Sequence, residues 1–123
     1  MEASELRIGN WVRLVSKDKD FEITSGYEID LGTESCDFEP IPLTEEWLER
    51  FGFKEFIDFG SHTGHYDKLP LCGFSYSINT KKVMVMHKGN GISHWIDLKV
   101  EYVHQLQNLY FALTGEELTI KTN

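Results

Sequence analysis

Residues 73–98 read GFSYSINTKKVMVMHKGNGISHWIDL, and this stretch decides the fold class. Apolar and polar residues alternate through 74–78, as they do in a half-exposed strand. A polar turn near 79–81 leads into the apolar run VMVM at 83–86, and KGNG at 88–91 is a strong hairpin signal. The stretch therefore predicts three antiparallel strands that follow one another in the chain.

The N-terminal third also predicts strands. Residues 8–15 (IGNWVRLV) form the first, and 17–20 (KDKD) form a polar turn. From 21 to 31 apolar residues recur at alternate positions, which predicts half-buried strands with a bulge or turn at Ser25-Gly26. Residues 32–39 are predicted to be a loop.

Two segments predict helices with recognisable ends. Residues 43–52 begin with Thr44, which can cap a helix N-terminus, and end with Gly52, a suitable residue beyond a C-terminus. Residues 100–113 place their apolar side chains on one stripe at 100° per residue and are followed by Gly115. The sequence therefore predicts a short central helix and a longer C-terminal one.

These elements predict an α+β fold: a twisted antiparallel sheet, with the C-terminal helix on one face and a short helix in the middle of the chain. We expect a further strand at 53–59, a long polar loop at 60–70 and a single domain spanning 1–123. The predicted core comprises Trp11, Val12, Leu14, Trp47, Leu48, Phe51, Phe74, Tyr76, Ile78, Val83, Val85, Ile96, Leu98, Leu106, Leu109, Tyr110 and Leu113.

Composition indicates a folded protein of the cytoplasm. Apolar residues make up 41% of the 123 residues and aromatic residues 13%, which is enough for a packed core. No apolar run approaches the ~18 residues of a membrane span, and residues 1–10 lack the apolar part of a signal peptide. We expect Cys36 and Cys72 to be reduced thiols, and a disulfide between them stays an open alternative.

Charge is concentrated in one half of the chain. The net charge is −8, and residues 20–49 contain ten acidic residues and no Lys or Arg. Such a segment repels phosphate and disfavours nonspecific nucleic-acid binding. Two interpretations stay open: a solvated face that keeps the protein soluble, or a docking surface for a basic partner.

Catalytic motifs are missing from the sequence. It has no Gly-rich phosphate loop, nucleophile elbow or Cys-x-x-Cys pair. His62 and His65, with Asp58 or Asp67, could serve as ligands of a zinc ion. However, both histidines fall in a predicted loop, and no predicted helix or strand pair would hold them in place. We therefore predict no metal and no cofactor, and keep a metal-dependent phosphate-ester hydrolase as an alternative.

Residues 54–99 combine cations with aromatic rings. They contain six lysines, four histidines and only four acidic residues. Cations beside aromatic faces suit an anionic, ring-bearing ligand such as a nucleotide, although the lysines could simply solubilise hairpin turns. The candidate ligand-binding residues are Tyr66, Lys68, Tyr76, Lys82, His87, Lys88, His94 and Trp95.

One aromatic residue lies on the polar side of the C-terminal helix. Phe111 falls about 180° from Tyr102, and an exposed Phe forgoes about 1.5–3 kcal/mol of burial. We expect something to cover it: the tail at 116–123, the N-terminal segment, or a second subunit in a homodimer. The candidate interface residues are His104, Gln107, Asn108 and Phe111.

Three segments resemble a known family. They are 5–12 (ELRIGNWV), 40–48 (PIPLTEEWL) and 102–118 (YVHQLQNLYFALTGEEL), and they resemble small proteins encoded by gut bacteria of the Bacteroides group and by their phages and prophages. Residues 54–99 have no counterpart in this resemblance. The family implies a mobile-element accessory protein in the host-cell cytoplasm and supplies no catalytic residues.

Together these features favour binding over catalysis. The leading hypothesis is an accessory protein that sequesters a nucleotide-like signal used in host defence. The first alternative is a protein–protein inhibitor that presents the acidic segment to a basic host protein, as a nucleic-acid mimic would. The second is the hydrolase that uses His62 and His65.

Overall fold

A computed structural model of the chain describes residues 3–35, 37–56, 65–68, 74–78, 80–86, 93–96 and 98–120. Within these ranges, the backbone alone is described for 54–56, 65–68, 74–75, 85–86 and 93–95.

The described residues form eight strands, three α-helices and a short 3-10 helix. In chain order they are the 3-10 helix (Ala3–Glu5), β1 (Trp11–Leu14), β2 (Lys19–Glu22), α1 (Gly26–Glu34), β3 (Phe38–Glu39), α2 (Glu45–Arg50), β4 (Phe53–Phe56), β5 (His65–Lys68), β6 (Phe74–Ser77), β7 (Lys82–Met86), β8 (Ser93–Trp95) and α3 (Val103–Thr114).

Contacts divide the chain into two compact units. Unit 1 comprises Met1–Leu43 and Glu101–Thr119, and unit 2 comprises Thr44–Val100 and Ile120–Asn123. Within unit 1, the Leu43 amide donates to the Glu101 carbonyl at 3.0 Å. This hydrogen bond joins the last residue of the first segment of unit 1 to the first residue of its second segment. The expectation of a single domain spanning 1–123 stays a prediction.

Unit 1 is built on a three-stranded antiparallel sheet in the order β2-β1-β3. α3 packs against β1. The core of this unit gathers side chains that are distant in sequence, because the sheet and the N-terminal segment enclose them together. They are Leu6, Val12, Ile23 and Phe38, with Leu14, Phe21 and Ile29 packed against them.

Unit 2 is built on a five-stranded antiparallel sheet in the order β4-β5-β6-β7-β8. The predicted three-strand succession at 73–98 is confirmed by β6, β7 and β8. The prediction of a loop at 60–70 is wrong for His65–Lys68, which forms β5 between β4 and β6. α2 contacts β4, an edge strand of this sheet.

Both predicted helix ends around α2 are confirmed. The Thr44 hydroxyl accepts a hydrogen bond from the Trp47 amide at 3.4 Å, which satisfies a free donor of the first turn. Gly52 has a φ of 91°, a left-handed conformation that glycine adopts without strain.

α3 begins later than predicted and ends as predicted. The Gln105 side chain accepts from the amides of Glu101 and Tyr102 at 2.9 and 3.2 Å, so the first helical residue is Val103 and not residue 100. Gly115 closes the helix with a φ of 76°.

The strand prediction for 27–31 is wrong, because these residues belong to α1. Ser25 is the N-cap, and its hydroxyl accepts from the Glu28 amide at 3.3 Å. The pattern Ser-x-x-Glu at 25–28 is the sequence signature of a helix start. The apolar residues at 27, 29 and 31 alternate as in a strand, and the strand prediction followed this alternation instead of the helix-start pattern. The predicted loop at 32–39 is likewise wrong for the end of α1 and for β3.

About half of the predicted core is confirmed. Eight of its side chains are buried: Val12, Trp47, Leu48, Phe51, Tyr76, Val83, Leu106 and Tyr110. Five are partly buried: Trp11, Leu14, Ile78, Ile96 and Leu109. The prediction is wrong for Leu98 and Leu113, which are exposed. The side chains of Phe74 and Val85 lie outside the described residues. Buried residues missed by the prediction include Leu6, Ile23, Phe38, Ile41, Leu43, Phe53, Val100, Val103 and Leu118.

The predicted fold class is therefore confirmed as α+β, with antiparallel strands, a C-terminal helix and a short central helix. The described strands form two sheets, whereas the sequence predicted one.

Candidate functional site

The start of α1 is held by a cluster of hydrogen bonds. The Glu28 carboxylate accepts from the Thr24 amide at 2.8 Å and from the Thr24 hydroxyl at 2.6 Å. These bonds from Thr24, with weaker ones from Ser25, stabilise the charged form and lower the pKa of Glu28. A carboxylate in the first turn also suits the helix dipole. These local bonds fix the residue at which α1 begins.

One side of α1 faces the core of unit 1. Ile29 packs against the core cluster. Gly32 lies so close to the Phe38 ring that an added Cβ would come within 2.2 Å of it. Only glycine therefore permits this close approach between helix and strand.

The other side of α1 is exposed and mixes apolar with acidic groups. Tyr27 is 71% exposed and Leu31 is 49% exposed. They lie one turn apart, and Asp30 and Glu34 are exposed on the same stripe. We name these four residues the α1 face.

The polar side of α3 is covered by the chain itself. Gln107 is only 1% exposed. Its Nε2 donates to the Gly9 carbonyl at 2.8 Å and to the Leu118 carbonyl at 3.4 Å, while its Oε1 accepts from the Trp11 amide at 2.9 Å. One side chain thus joins α3 to the segments before β1 and after α3. We name this set of bonds the Gln107 clasp.

Asn108 extends the contact between α3 and the N-terminal segment. Its Oδ1 accepts from Asn10 Nδ2 at 2.9 Å, and its Nδ2 donates to the Glu5 carbonyl at 2.9 Å. Asn10 is buried, and its Oδ1 accepts from the Arg7 amide at 2.7 Å. Buried amide side chains are stable only when they are paired in this way.

Arg7 supplies the cover expected for Phe111. Its Cζ lies 4.0 Å from the centroid of the Phe111 ring, a cation–π arrangement. Its guanidinium also forms an ion pair with Glu117 and donates to Asn108 Oδ1 at 3.3 Å. Phe111 remains 39% exposed. The N-terminal segment, one of the covers considered from the sequence, therefore contacts the ring.

His104 lies at the start of α3 and is buried at 3% exposure. Its ring stacks on Tyr102, with centroids 6.1 Å apart. Its Nδ1 is buried, and no described group is within hydrogen-bonding distance of that atom. Burial lowers the pKa of His104, and the nearby Glu5 carboxylate opposes this effect.

These positions correct the picture of the predicted interface. The expectation that His104 and Gln107 lie on an exposed polar face is wrong, because both are buried within unit 1. Asn108 is engaged with the N-terminal segment, and only Phe111 of the four candidates is exposed. Association of two copies stays a prediction.

The predicted ligand-binding residues are spread across the sheet of unit 2. Tyr66 is the register partner of Tyr76, which in turn pairs with Val83. Lys82 is the neighbour of Val83 in β7, and directions alternate along a strand, so Lys82 belongs to the opposite face. Lys68 lies two residues after Tyr66 in β5, so the two positions belong to the same face of the sheet.

The same alternation separates the two candidates in β8. His94 pairs with Val85, and Trp95 pairs with Met84. Adjacent strand positions belong to opposite faces of a sheet. The candidate set is therefore divided between both faces. His87 and Lys88 lie outside the described residues.

Tyr76 is the one member of this set whose side-chain contacts are described. It is 1% exposed, and its hydroxyl donates to the Val100 carbonyl at 2.6 Å. Its core assignment is confirmed, and its burial leaves the ring no open face for stacking on a ligand.

The other sequence hypotheses fall largely outside the described residues. This applies to His62, to Cys36 and to Cys72, and the backbone alone is described for His65. Within the part of the chain that the structure describes, no group of three or more His, Cys, Asp or Glu side chains could hold a metal ion. In that same part, no helix is long and apolar enough to cross a membrane.

Comparison with models of protein families, with curated proteins and with solved structures finds no match to this chain.

Proposed function

We propose that this protein acts by binding, and that its α1 face docks on a basic surface of a partner protein. The observation that carries this proposal is the exposure of Tyr27 and Leu31, one turn apart on a helix whose other exposed groups are acidic. Sequence reasoning missed this surface because it assigned the segment to strands. The capping pattern at 25–28 is the signal that would have found it.

The composition of the α1 face resembles the energetic centre of a protein interface. Aromatic side chains surrounded by a polar rim supply most of the binding energy in such interfaces. Burial of the surface that Tyr27 and Leu31 still expose would contribute on the order of 1–2 kcal/mol each. A partner that covers both residues would thus gain a substantial hydrophobic contribution.

Charge selects the kind of partner. Asp30 and Glu34 flank the two apolar side chains, and residues 20–49 as a whole carry no Lys or Arg. An acidic rim attracts a basic surface and repels nucleic acid. A basic partner protein therefore satisfies both parts of the α1 face, and it suits the accessory role that the family resemblance implies.

The proposal is preferred over nucleotide sequestration because the exposure of the α1 face is described. Of the eight candidate nucleotide-binding residues, only Tyr76 and Lys82 have described side chains, and Tyr76 is buried. Nucleotide binding stays a prediction that residues 54–99 motivate.

The test compares two double variants of equal chemical character. Tyr27→Ser with Leu31→Ser removes the apolar part of the α1 face, and Val15→Ser with Leu113→Ser removes two exposed apolar side chains elsewhere. A protein captured from source-cell lysate is identified by mass spectrometry and purified, and its affinity for each variant is measured by calorimetry.

We expect the captured protein to be basic and its Kd to rise about tenfold or more for the α1 variant alone, since central apolar anchors dominate interface energies. Raising the salt concentration should slow its association. Equal affinity for both double variants, or capture of acidic proteins only, would show that the α1 face is not the docking surface.

A further inference from the structure

Unit 1 contains a cleft of about 710 Å³ that is separate from the α1 face. Three stretches of chain form its walls: the segment before β1, the link between β2 and α1, and the segment after α3. The lining includes Arg7, Ile8, Glu22, Ile23, Thr24 and Leu118. Its volume lies within the range of about 300–1,000 Å³ found for small-molecule sites.

The cleft offers an apolar surface to a bound group. Ile23 and Leu118 are buried beneath it, at 0% and 1% exposure. Ile8 lines the cleft and is 56% exposed, so a ligand could remove its side chain from water. Such contact favours a ligand with a hydrocarbon stem.

The charge that remains available in the cleft is negative. Arg7 is the one cation of the lining, and it is already engaged by Glu117, Asn108 and the Phe111 ring. Glu22 is exposed, and among the described residues no Lys, Arg or His nitrogen forms an ion pair with it. A cation near Glu22 would therefore meet an uncompensated carboxylate.

The walls of the cleft are fixed by hydrogen bonds outside it. Thr24 is held by Glu28, and the Gln107 clasp holds the carbonyls of Gly9 and Leu118. A site whose walls are already ordered demands little further ordering when a ligand enters.

We infer that this cleft binds an organic cation, an ammonium or guanidinium group on a short apolar stem, with the charge beside Glu22 and the stem against Ile8. The same chemistry occurs in free amines and guanidines and in the Arg side chain of a partner. The inference does not depend on the α1 face, because the two surfaces share no residue.

The test uses n-butylguanidinium as the probe and follows amide resonances by NMR. We expect saturable shifts at Gly9, Thr24 and Thr119 in the lining, and none on adding pentanoate, an anion of similar length. Unsubstituted guanidinium should bind more weakly, because it lacks the stem. Equal shifts with pentanoate, or no saturable shift with n-butylguanidinium, would overturn the inference.

Matched variants separate the charge from the stem contact. Glu22→Gln and Ile8→Ser should each raise the Kd about five- to tenfold, which corresponds to about 1–1.4 kcal/mol. Glu116→Gln and Val15→Ser change exposed residues outside the lining and should leave the Kd unchanged. Equal effects from lining and control variants would also overturn the inference.

A second arm identifies the source of the cation. An acetylated and amidated tripeptide with a central Arg is titrated under the same conditions. Binding as tight as that of n-butylguanidinium supports the side chain of a partner, and binding of the small guanidine alone supports a free metabolite. Failure of both probes refutes the site, whatever the result for the α1 face.

Discussion

α1 and α3 belong to the same unit and differ in how their side chains are buried. α1 leaves Tyr27 and Leu31 in contact with solvent, whereas α3 buries the polar Gln107 and His104. The difference comes from the neighbouring chain. Segments before β1 and after α3 cover the polar side of α3 with hydrogen-bonding groups, and no described segment buries the outer side of α1. A helix's pattern therefore indicates its preferred environment, and its neighbours determine which residues become buried.

The largest expected effect concerns the apolar side of α3. Leu106→Ala should lower the free energy of unfolding by about 2–5 kcal/mol, because a fully buried side chain is removed and a cavity remains. Leu113→Ala, in the same predicted stripe but exposed, should change it by about 0.5 kcal/mol or less. Urea denaturation measures both values, and similar losses would show that Leu113 is buried after all.

A direct comparison of the two helices uses one polar and one apolar residue. Gln107→Leu should cost about 1–3 kcal/mol in total, because backbone groups of Gly9, Trp11 and Leu118 lose a hydrogen-bond partner. Tyr27→Ser should cost about 0.5 kcal/mol or less, since the ring is exposed. Thermal unfolding should therefore rank the polar residue as the more important for stability, and the reverse order would break the comparison.

The packing of α1 is tested by its two glycines, of which Gly32 is buried and Gly26 is exposed. Gly32→Ala should destabilise the protein by about 1–3 kcal/mol, because the new Cβ would overlap the Phe38 ring. Gly26→Ala has no atom within 4 Å of its new Cβ and should stabilise α1 by up to about 1 kcal/mol. Chemical denaturation of both variants would reveal whether α1 packs as closely as described, and equal effects would contradict it.

The buried His104 makes the stability of the protein decline as the pH falls below neutrality. Because burial lowers the pKa of His104 below its ordinary value of 6.5, the unfolded chain binds a proton before the folded one does. The contribution to stability is complete above that value and is lost as the pH falls through the lowered folded-state pKa. Stability measured against pH should thus decline more steeply for the wild type than for His104→Gln, and parallel curves would refute this.

Local signals in the sequence predicted much of the fold. The cap at Thr44, the left-handed positions of Gly52 and Gly115, and the alternation at 74–77 each depend on near neighbours in the chain. Such features are set by backbone conformation and short-range hydrogen bonds, so a pattern reveals them. α1 shows the limit, because two local signals competed at 25–31 and the capping pattern prevailed over the alternation.

The sequence by itself determined the acidic charge, the α+β class and the two ends of α2, because these follow from composition and from contacts over a few residues. Only the tertiary structure decided that Gln107 is buried, that Arg7 covers Phe111, and that Tyr27 is left exposed. Arg7 and Phe111 are separated by about a hundred residues, and so are Gln107 and Gly9. Whether a side chain is solvated or paired depends on which distant segment reaches it, and no periodicity along the chain records that contact.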